Sequence, residues 1–404
     1  MRPRAQSAIS AAVTNDVTSQ QLSGARMAIY VSFIINGMAW GSFIPRIPDV
    51  KAMFHLSNGQ LGTSLLAGSV GVLVAMKPAG ALTARWGSAR TVIVLTVVMS
   101  GAMLLVSSLF NYTWFVVTLF FTGIVMATHD IAMNTHGTTV EKLSEKSLMN
   151  GFHARFSLGG LAGAAYGGVC SQLEVKPLYQ MTVIALALLA AVPWLKSALL
   201  PTAADQHSIE RKPKSERERQ VIFYVLGLLG FFSSVCEGSA SDWGGVLLRD
   251  TWGAAPFISS VPYIVFSATM LLGRLVGDKV TDRMGREWIV KYGGGTAGVG
   301  LLIGLIIGKP LGISIGWALL GLGVSVAIPS VFSASSELAE AKFAGHISPS
   351  AAVAIVGSVS YAGFLLGPPI IGWLADQVTL RWAMLLPASL AIAMAASARI
   401  VRVR

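Results

Sequence analysis

The chain has 404 residues, of which 53% are hydrophobic and 12% are charged, and its mean hydropathy is +0.65. A soluble protein carries roughly 25% charged residues, so about half of the usual polar covering is missing. The composition excludes an ordinary soluble enzyme and indicates a surface that faces lipid. The net charge of +11 would suit a nucleic-acid-binding protein, but the placement of the charges, described below, argues against that class.

The N-terminal stretch 1–24 is polar, contains Arg2 and Arg4, and lacks the apolar core of a signal peptide. We therefore predict a cytoplasmic tail here. The two cysteines, Cys170 and Cys236, lie far apart within apolar segments and indicate no disulfide framework.

Twelve segments are apolar enough to be candidate membrane spans, since a helix needs about 20 apolar residues to cross a bilayer. They begin near Ala28, Gly59, Thr91, Tyr112, Gly151, Leu178, Val221, Pro256, Ile289, Ile313, Pro349 and Arg381. The charged stretch 201–219 separates spans six and seven and is predicted to be a cytoplasmic linker. It divides the chain into an N-terminal six-helix half, 25–200, and a C-terminal six-helix half, 220–404.

The second half repeats the first at a shift of about 203 residues. Trp40-Gly41, with Arg46 shortly after, recurs as Trp243-Gly244 with Arg249. Three glycines of span five recur in span eleven, namely Gly159, Gly163 and Gly168 as Gly363, Gly367 and Gly372. Duplicated helical halves are typical of secondary transporters, in which the substrate binds near mid-bilayer between the halves. The predicted fold class is therefore an all-α membrane protein with twelve transmembrane helices in two pseudo-symmetric halves.

Lysine and arginine are distributed unevenly between the predicted loops. If the N-terminus is cytoplasmic, the outer loops hold only about six of the 30 Lys and Arg residues. These six are Arg46, Lys51, Lys176, Arg249, Lys309 and Arg381. Because positive charge accumulates on the cytoplasmic side, both termini are predicted to lie in the cytoplasm, with the protein in the inner membrane.

Two loops at corresponding positions of the halves carry related sequences. The loop between spans two and three reads Gly-Ala-Leu-Thr-Ala-Arg-Trp-Gly over 80–87, and the loop between spans eight and nine reads Gly-Asp-Lys-Val-Thr-Asp-Arg-Met-Gly-Arg over 277–286. Both resemble the signature of the major facilitator superfamily, a glycine followed by Asp-Arg and then Gly-Arg. The second copy keeps Asp282 and Arg283, whereas Ala84 replaces the usual aspartate in the first.

The resemblance implies the major facilitator fold, transport by alternating access, and an inner latch at these loops. Shorter stretches, among them Asp130-Ile-Ala-Met-Asn134 and Asn150-Gly-Phe-His153, resemble a bacterial subgroup of that superfamily. The subgroup includes YbjJ-type and MosC-type membrane proteins and is distantly similar to fucose:proton symporters. The residues that we assign to gating or to the structure around it are Arg85, Arg155, His153, Arg274, Asp278, Asp282, Arg283, Gly363 and Gly367.

Ionisable residues inside the spans are candidates for proton coupling, because a charge near the bilayer centre costs on the order of 3 kcal/mol. Glu237 lies not far from the middle of span seven and is the first candidate. The alternative is a neutral acid that bonds a neighbouring helix. Asp242 lies nearer the outer surface and is either part of a gate or a solvated helix end.

A second candidate group lies in spans four and five. Asp130 and Asn134 are one helical turn apart, and Arg155 enters span five at about the depth at which Asp130 leaves span four. We therefore expect an Asp130–Arg155 ion pair with His129 or His153 nearby. Histidine can relay protons because its unperturbed pKa is about 6.5. The alternative is a structural salt bridge that holds the two helices together.

Polar and aromatic residues of the spans that line facilitator-type cavities are candidate substrate contacts. They are Asn36, Trp40, Asn134, Tyr166, Ser239, Trp243 and Tyr361. For the tryptophans, anchoring at the membrane interface is the competing interpretation. The span-five and span-eleven glycines are better explained by close helix packing than by substrate contact.

The sequence therefore predicts a secondary transporter of a small polar organic solute, sugar- or inositol-like, coupled to protons. A phosphate-binding Gly-x4-Gly-Lys-Ser/Thr loop and metal-ligand spacing are both missing from the sequence, so we expect neither ATP hydrolysis nor a metal, and no cofactor. The expected partners are the solute, protons and membrane lipid, without nucleic acid, and the protein is expected to be a monomer that is not an enzyme. The alternatives are a proton-antiport exporter of drugs or metabolites and a non-transporting membrane receptor.

Overall fold

The computed structural model describes residues 17–144, 148–201, 221–343 and 347–402, without the side chains of Asn150, Asp278 and Ser350. Over these residues the chain is helical and contains no strand. The α-helices are α1 Ser19–Phe43, α2 Ile47–Met53, α3 Asn58–Trp86, α4 Ser88–Ser107, α5 Tyr112–Ser144, α6 Met149–Gln172, α7 Pro177–Ala198, α8 Val221–Trp252, α9 Pro256–Met284, α10 Arg286–Ile307, α11 Pro310–Val324, α12 Ala327–Lys342, α13 Pro349–Val378, α14 Leu380–Ala383 and α15 Leu385–Ala396.

Ten helical segments of the described chain are long and apolar enough to cross a membrane. The helix pairs α1 with α2 and α11 with α12 each count as one such segment. The other two predicted spans are α6, which carries several polar residues, and the shorter apolar stretch Leu380–Ala396. The predicted all-helical membrane fold is confirmed.

The predicted domain boundaries can be compared with the structure at the N-terminal tail but not at the linker. Helix α1 already begins at Ser19, inside the stretch 1–24 that was predicted to be a tail. The predicted linker 201–219 lies outside the described residues except for Pro201.

Local chemistry explains several helix ends. Ser57 and Gln60 bond each other's backbone N–H groups at the start of α3, at 3.2 and 2.9 Å, which is a capping box. Gly87 and Gly285 both have φ near +84°, which L side chains rarely adopt, and each separates two helices in a single residue. These glycines belong to the two related loops, so the sharp turn is a shared feature of both halves.

The described residues form two compact units. The first contains 17–41, 67–144, 148–163 and 175–201. The second contains 42–66, 164–174, 221–343 and 347–402, so it includes two short segments of the N-terminal half together with the whole described C-terminal half. Within the second unit the most extensive helix contact joins α8 and α13.

Glycines bring helix backbones together at equivalent places in the two units. In the first unit, a Cβ atom added to Gly159 of α6 would collide with the carbonyl of Ile34 in α1. In the second, a Cβ added to Gly363 of α13 would lie 2.5 Å from the carbonyl oxygen of Phe231 in α8. Small residues at such crossings let helices approach closely in lipid, where packing replaces the hydrophobic driving force.

We predict that Gly159→Leu destabilises the protein by about 1–3 kcal/mol, because the new side chain must push α1 and α6 apart. The measurement is the midpoint of thermal unfolding of the detergent-purified protein. Gly101→Leu is the matched control, since an added Cβ at this exposed position of α4 meets no atom within 4 Å. An equal midpoint for both variants would contradict the role of the close crossing.

Candidate functional site

His129 is fully buried in α5 and joins three helices of the first unit. Its Nδ1 lies 2.9 Å from the amide nitrogen of Asn36 in α1, and its Nε2 lies 3.1 Å from the hydroxyl of Thr96 in α4. The Thr96 hydroxyl donates to the carbonyl of Val92 at 2.8 Å, so it accepts from His129. The ring therefore carries its proton on Nε2 and accepts from Asn36 on Nδ1.

This arrangement differs from two sequence predictions. Both ring nitrogens of His129 are already hydrogen-bonded, so the ring can take up a proton only by breaking its bond to Asn36. Asn36, predicted to contact substrate, is 2% exposed and uses its amide on the histidine. In this structure both residues connect helices.

Asp130 is exposed although it lies at the middle of α5. The amide of Asn134 donates to its carboxylate at 3.0 Å, so the predicted shared face is present. The predicted ion pair with Arg155 is wrong. Arg155 instead donates to the carbonyl of Gly151 at 3.1 Å and stacks over the ring of Tyr30, 4.2 Å from its centroid. The Arg155 guanidinium is stabilised by the aromatic face of Tyr30 and by a carbonyl of its own helix. The Asp130 carboxylate is hydrogen-bonded by Asn134 instead.

Glu237 lies at the middle of α8, whose 32 residues are otherwise mostly apolar. The nearest guanidinium nitrogen of Arg274 in α9 is 3.9 Å from its carboxylate, and the two side chains are 30% and 28% exposed. Arg274, predicted to belong to a latch with Asp278, thus also lies beside the candidate proton carrier. At 3.9 Å the contact is an ion pair without a direct hydrogen bond, and both side chains are partly exposed.

A small cavity with room for about one water molecule lies beside Asp242. Besides the carboxylate, hydroxyl groups of Ser241, Ser259, Ser260 and Tyr263 line it. The Ser241 hydroxyl lies 3.0 Å from the Asp242 carboxylate. Asp242 is thus half-buried beside this cavity, and its role as part of a gate or as a solvated helix end stays a prediction.

The other predicted substrate contacts fall into different environments. Trp243 is fully buried, and Ser239 is buried and donates to the carbonyl of Cys236 at 2.7 Å. Trp40 and Tyr166 are half-buried, whereas Tyr361 is 45% exposed. Their contact with a substrate stays a prediction, and the burial of Trp243 and Ser239 favours a packing role for these two in this conformation.

The second unit contains a polar cluster around one carboxylate, which we call the Asp49 cluster. Its members are Arg46, Asp49, Ser171 and Arg249. One carboxylate oxygen of Asp49 accepts from Arg46 at 2.9 Å and from the Ser171 hydroxyl at 2.7 Å, and the other accepts from Arg249. Arg46 is only 3% exposed. The two repeat-related arginines therefore converge on one carboxylate.

Two further polar contacts join segment 42–66 to helices of the C-terminal half, all within the second unit. Lys51 forms an ion pair with Asp250 at the end of α8. The carboxylate of Asp376 in α13 accepts from the backbone N–H groups of Asn58 and Gly59 at 3.0 and 2.9 Å. A carboxylate at a helix N-terminus is stabilised by unpaired N–H groups and the helix dipole.

The sequence shows that Arg46 and Arg249 are repeated, but it does not indicate what they bind. Arg46 and Arg249 stand out as the pair that the repeat keeps beside Trp-Gly. Their shared acid, Asp49, has no counterpart in the second half, where Trp252 stands 203 residues later. The pattern of the repeat alone therefore could not identify the partner.

Of the charged side chains described in the two signature loops, Arg286 forms an ion pair, whereas Asp282, Arg283 and Arg85 do not. Arg286, which follows Gly285, makes a bidentate ion pair with Glu337 of α12, with one bond of 2.7 Å. Asp282 and Arg283 are exposed, as is Arg85 in the first loop, and no ion pair of theirs occurs among the described residues. The side chain of Asp278, and with it the predicted Arg274–Asp278 latch, lies outside the described residues.

The remaining predicted gating residues have aromatic or helical neighbours. His153 is exposed and packs edge-on against the ring of Phe33, with centroids 5.2 Å apart. A Cβ on Gly367 would meet only ordinary contacts with Val235, at 3.7 Å or more.

Within the described residues, no group of three or more His, Cys, Asp or Glu side chains has the arrangement of a metal site.

Solved transporters share the fold. The nucleoside transporter NupG, crystallised as a point mutant, matches 93% of this chain and 99% of its own with a TM-score of 0.74 and 11% identity. A bacterial homolog of the human lysosomal transporter Spinster, in an inward-facing and occupied conformation, matches 95% of this chain and 97% of its own, with a TM-score of 0.74 and 13% identity. At these identities the likeness concerns the fold alone.

Relatives at the sequence level are named as transporters or membrane proteins. An uncharacterized MFS-type transporter of Yersinia pestis is 30% identical over 95% of this chain and 96% of its own length. Membrane protein MosC of Rhizobium meliloti is 28% identical over 89% of this chain and 85% of its own. The family profile of the Major Facilitator Superfamily matches residues 29–349, well over half of the sequence. The chain therefore belongs to the Major Facilitator Superfamily, as its loops and repeat predicted.

Proposed function

We propose that this facilitator moves a small polar organic solute, of the sugar or inositol class, across the cytoplasmic membrane, with protons as the coupling ion. The single observation that carries the proposal is the Glu237–Arg274 pair. A carboxylate at mid-helix, 30% exposed and 3.9 Å from its guanidinium partner, is placed to exchange a proton with water.

An ionised carboxylate at the bilayer centre needs a partner or water, and Glu237 has a partner at long range and a partly exposed side chain. When Glu237 takes up a proton, its electrostatic attraction to Arg274 is lost, which changes how strongly the guanidinium attracts a polar ligand nearby. Protonation and solute binding then influence each other, which is the thermodynamic requirement for coupling.

Asp130 is the second proton or solute site of the proposal. It is exposed at mid-helix, and a carboxylate in such a position is tolerated only where it faces a water-filled path. Its partner Asn134 supplies an amide that bonds hydroxyl groups as readily as carboxylates. His129 has no part in this proposal, because its two nitrogens are engaged by Asn36 and Thr96.

The orientation that the Lys and Arg distribution predicts places the Asp49 cluster at the outer side, with both termini in the cytoplasm. On that orientation, the cluster, the Lys51–Asp250 pair and the Asp376 cap act as an outer gate. Opening the gate requires Arg249 to leave Asp49, so these contacts stabilise the outer-closed state against the outer-open one.

We expect Glu237→Gln to abolish solute-driven proton movement in proteoliposomes, because glutamine cannot carry a proton. Sugars, inositols, nucleosides and amphipathic cations are added in turn to vesicles of wild type and variant, and the internal pH is recorded. A loss of at least tenfold is expected for the variant. Glu340→Gln, which changes an exposed acid at the end of α12, is the control and retains the signal.

Equal pH changes for wild type and Glu237→Gln would remove Glu237 as the carrier. A pH change in the opposite direction when amphipathic cations are added, with no change for sugars, inositols or nucleosides, would contradict the proposal. It would indicate proton antiport of the cations instead.

We expect Asp49→Asn to open the outer gate more often. In a background with Cys170 and Cys236 replaced by serine, Ser241→Cys reports on the cavity beside Asp242. A membrane-impermeant maleimide applied from outside is expected to label it at least about tenfold faster in Asp49→Asn, which corresponds to about 1.4 kcal/mol less stabilisation of the closed state.

The control for this experiment is Glu174→Gln, which alters an exposed acid next to the end of α6 and leaves the cluster intact. An unchanged labelling rate in Asp49→Asn would show that the cluster is a static brace. Faster labelling from the opposite side alone would reverse the orientation.

A further inference from the structure

A cleft in the first unit lies between the start of α4 and the end of α7, two helices that pack against each other. Its volume is about 360 Å³, within the range of small-molecule sites. Most of its lining is apolar and includes Ile93, Leu199 and Leu200. The two charged residues of the lining are Arg90 and Lys196, and both are cationic.

Arg90 and Lys196 are exposed, and neither forms an ion pair with any acid of the described chain. The guanidinium of Arg90 lies 5.6 Å from the ring centroid of Trp86, a contact that orients the charge without neutralising it. Two like charges at one cleft repel each other, and an anion between them removes that repulsion.

The depth of the cleft in the membrane follows from the helix ends. Arg90 is in the first turn of α4 and Lys196 is in the last turn of α7. Trp86 and Trp194, near the same ends, are 36% and 41% exposed, as is usual for tryptophans at the headgroup level. From this position at the helix ends we infer that the two cations lie at the depth of the lipid phosphates.

We propose that this cleft is a binding site for an anionic phospholipid, whose phosphate lies between Arg90 and Lys196. The apolar lining favours a lipid over a free phosphate ion, because an apolar side chain such as that of Ile93 offers nothing to a small anion and complements acyl chains. Further along, α4 and α7 expose apolar side chains such as Val97 and Leu189, against which the chains can lie. The site is independent of the transported solute.

The test is native mass spectrometry of the full detergent-purified chain with phosphatidylglycerol, phosphatidylcholine or glycerol 3-phosphate. We expect wild type to retain one phosphatidylglycerol in preference to phosphatidylcholine. Arg90→Gln/Lys196→Gln is expected to bind it about 36-fold more weakly, from about a sixfold contribution of each cation near the surface. The charge-preserving exchange Arg90→Lys/Lys196→Arg retains binding and shows that folding is not the cause.

The matched control is Lys279→Gln/Lys291→Gln. It removes two exposed cations from α9 and α10, of which Lys291 also lies 5.6 Å from an aromatic ring centroid, that of Tyr292. If both double variants weaken binding equally, the effect is general surface charge and the proposal fails. Displacement of the lipid by millimolar glycerol 3-phosphate, or no selective lipid retention in wild type, also overturns it. If the glutamine double variant does not fold, Lys196→Gln alone is expected to weaken binding about sixfold, and no change would overturn the proposal.

Discussion

The cost of placing charge in hydrocarbon is the constraint on which this structure depends. Three ionisable side chains show different ways of meeting it. Arg46 is buried and paired with Asp49, Arg155 lies on the face of Tyr30, and Asp130 is exposed at mid-helix with Asn134 as its partner. Because lipid offers no hydrogen bonds, a mid-span charge without a partner must face water.

The two units use their mid-helix polar residues differently. In the first, His129 is fully buried and both ring nitrogens are hydrogen-bonded, so it acts as a rigid connection between three helices. In the second, Glu237 and Arg274 are loosely paired and accessible. A group that has to change its protonation state cannot be held in a fixed hydrogen-bond network, and for that reason we propose the coupling role for Glu237 and not for His129.

Much of the fold could be predicted because it depends on local or repeated patterns. Apolar length identified the spans, and the four-residue spacing of glycines indicated the close crossings that Gly159 and Gly363 make. Long-range side-chain pairing could not be predicted in the same way. The sequence suggested that Arg155 would meet Asp130, because helix depth was the only guide, and it missed that Tyr30 offers the guanidinium an aromatic face. Asp49 meets Arg249 from 200 residues away, and no local signal connects them.

The central claim is that the mid-span acids face water, and thiol accessibility tests it most directly. Glu237→Cys and Asp130→Cys, each in a background without Cys170 and Cys236, are treated with a small hydrophilic thiosulfonate reagent in membranes. Leu272→Cys serves as the reference, because Leu272 is a 59% exposed apolar residue two positions from Arg274 in α9. The account predicts that the cysteines at 237 and 130 react while the cysteine at 272 does not. Unreactive cysteines at 237 and 130 would show that both acids are dry structural groups and would contradict the account.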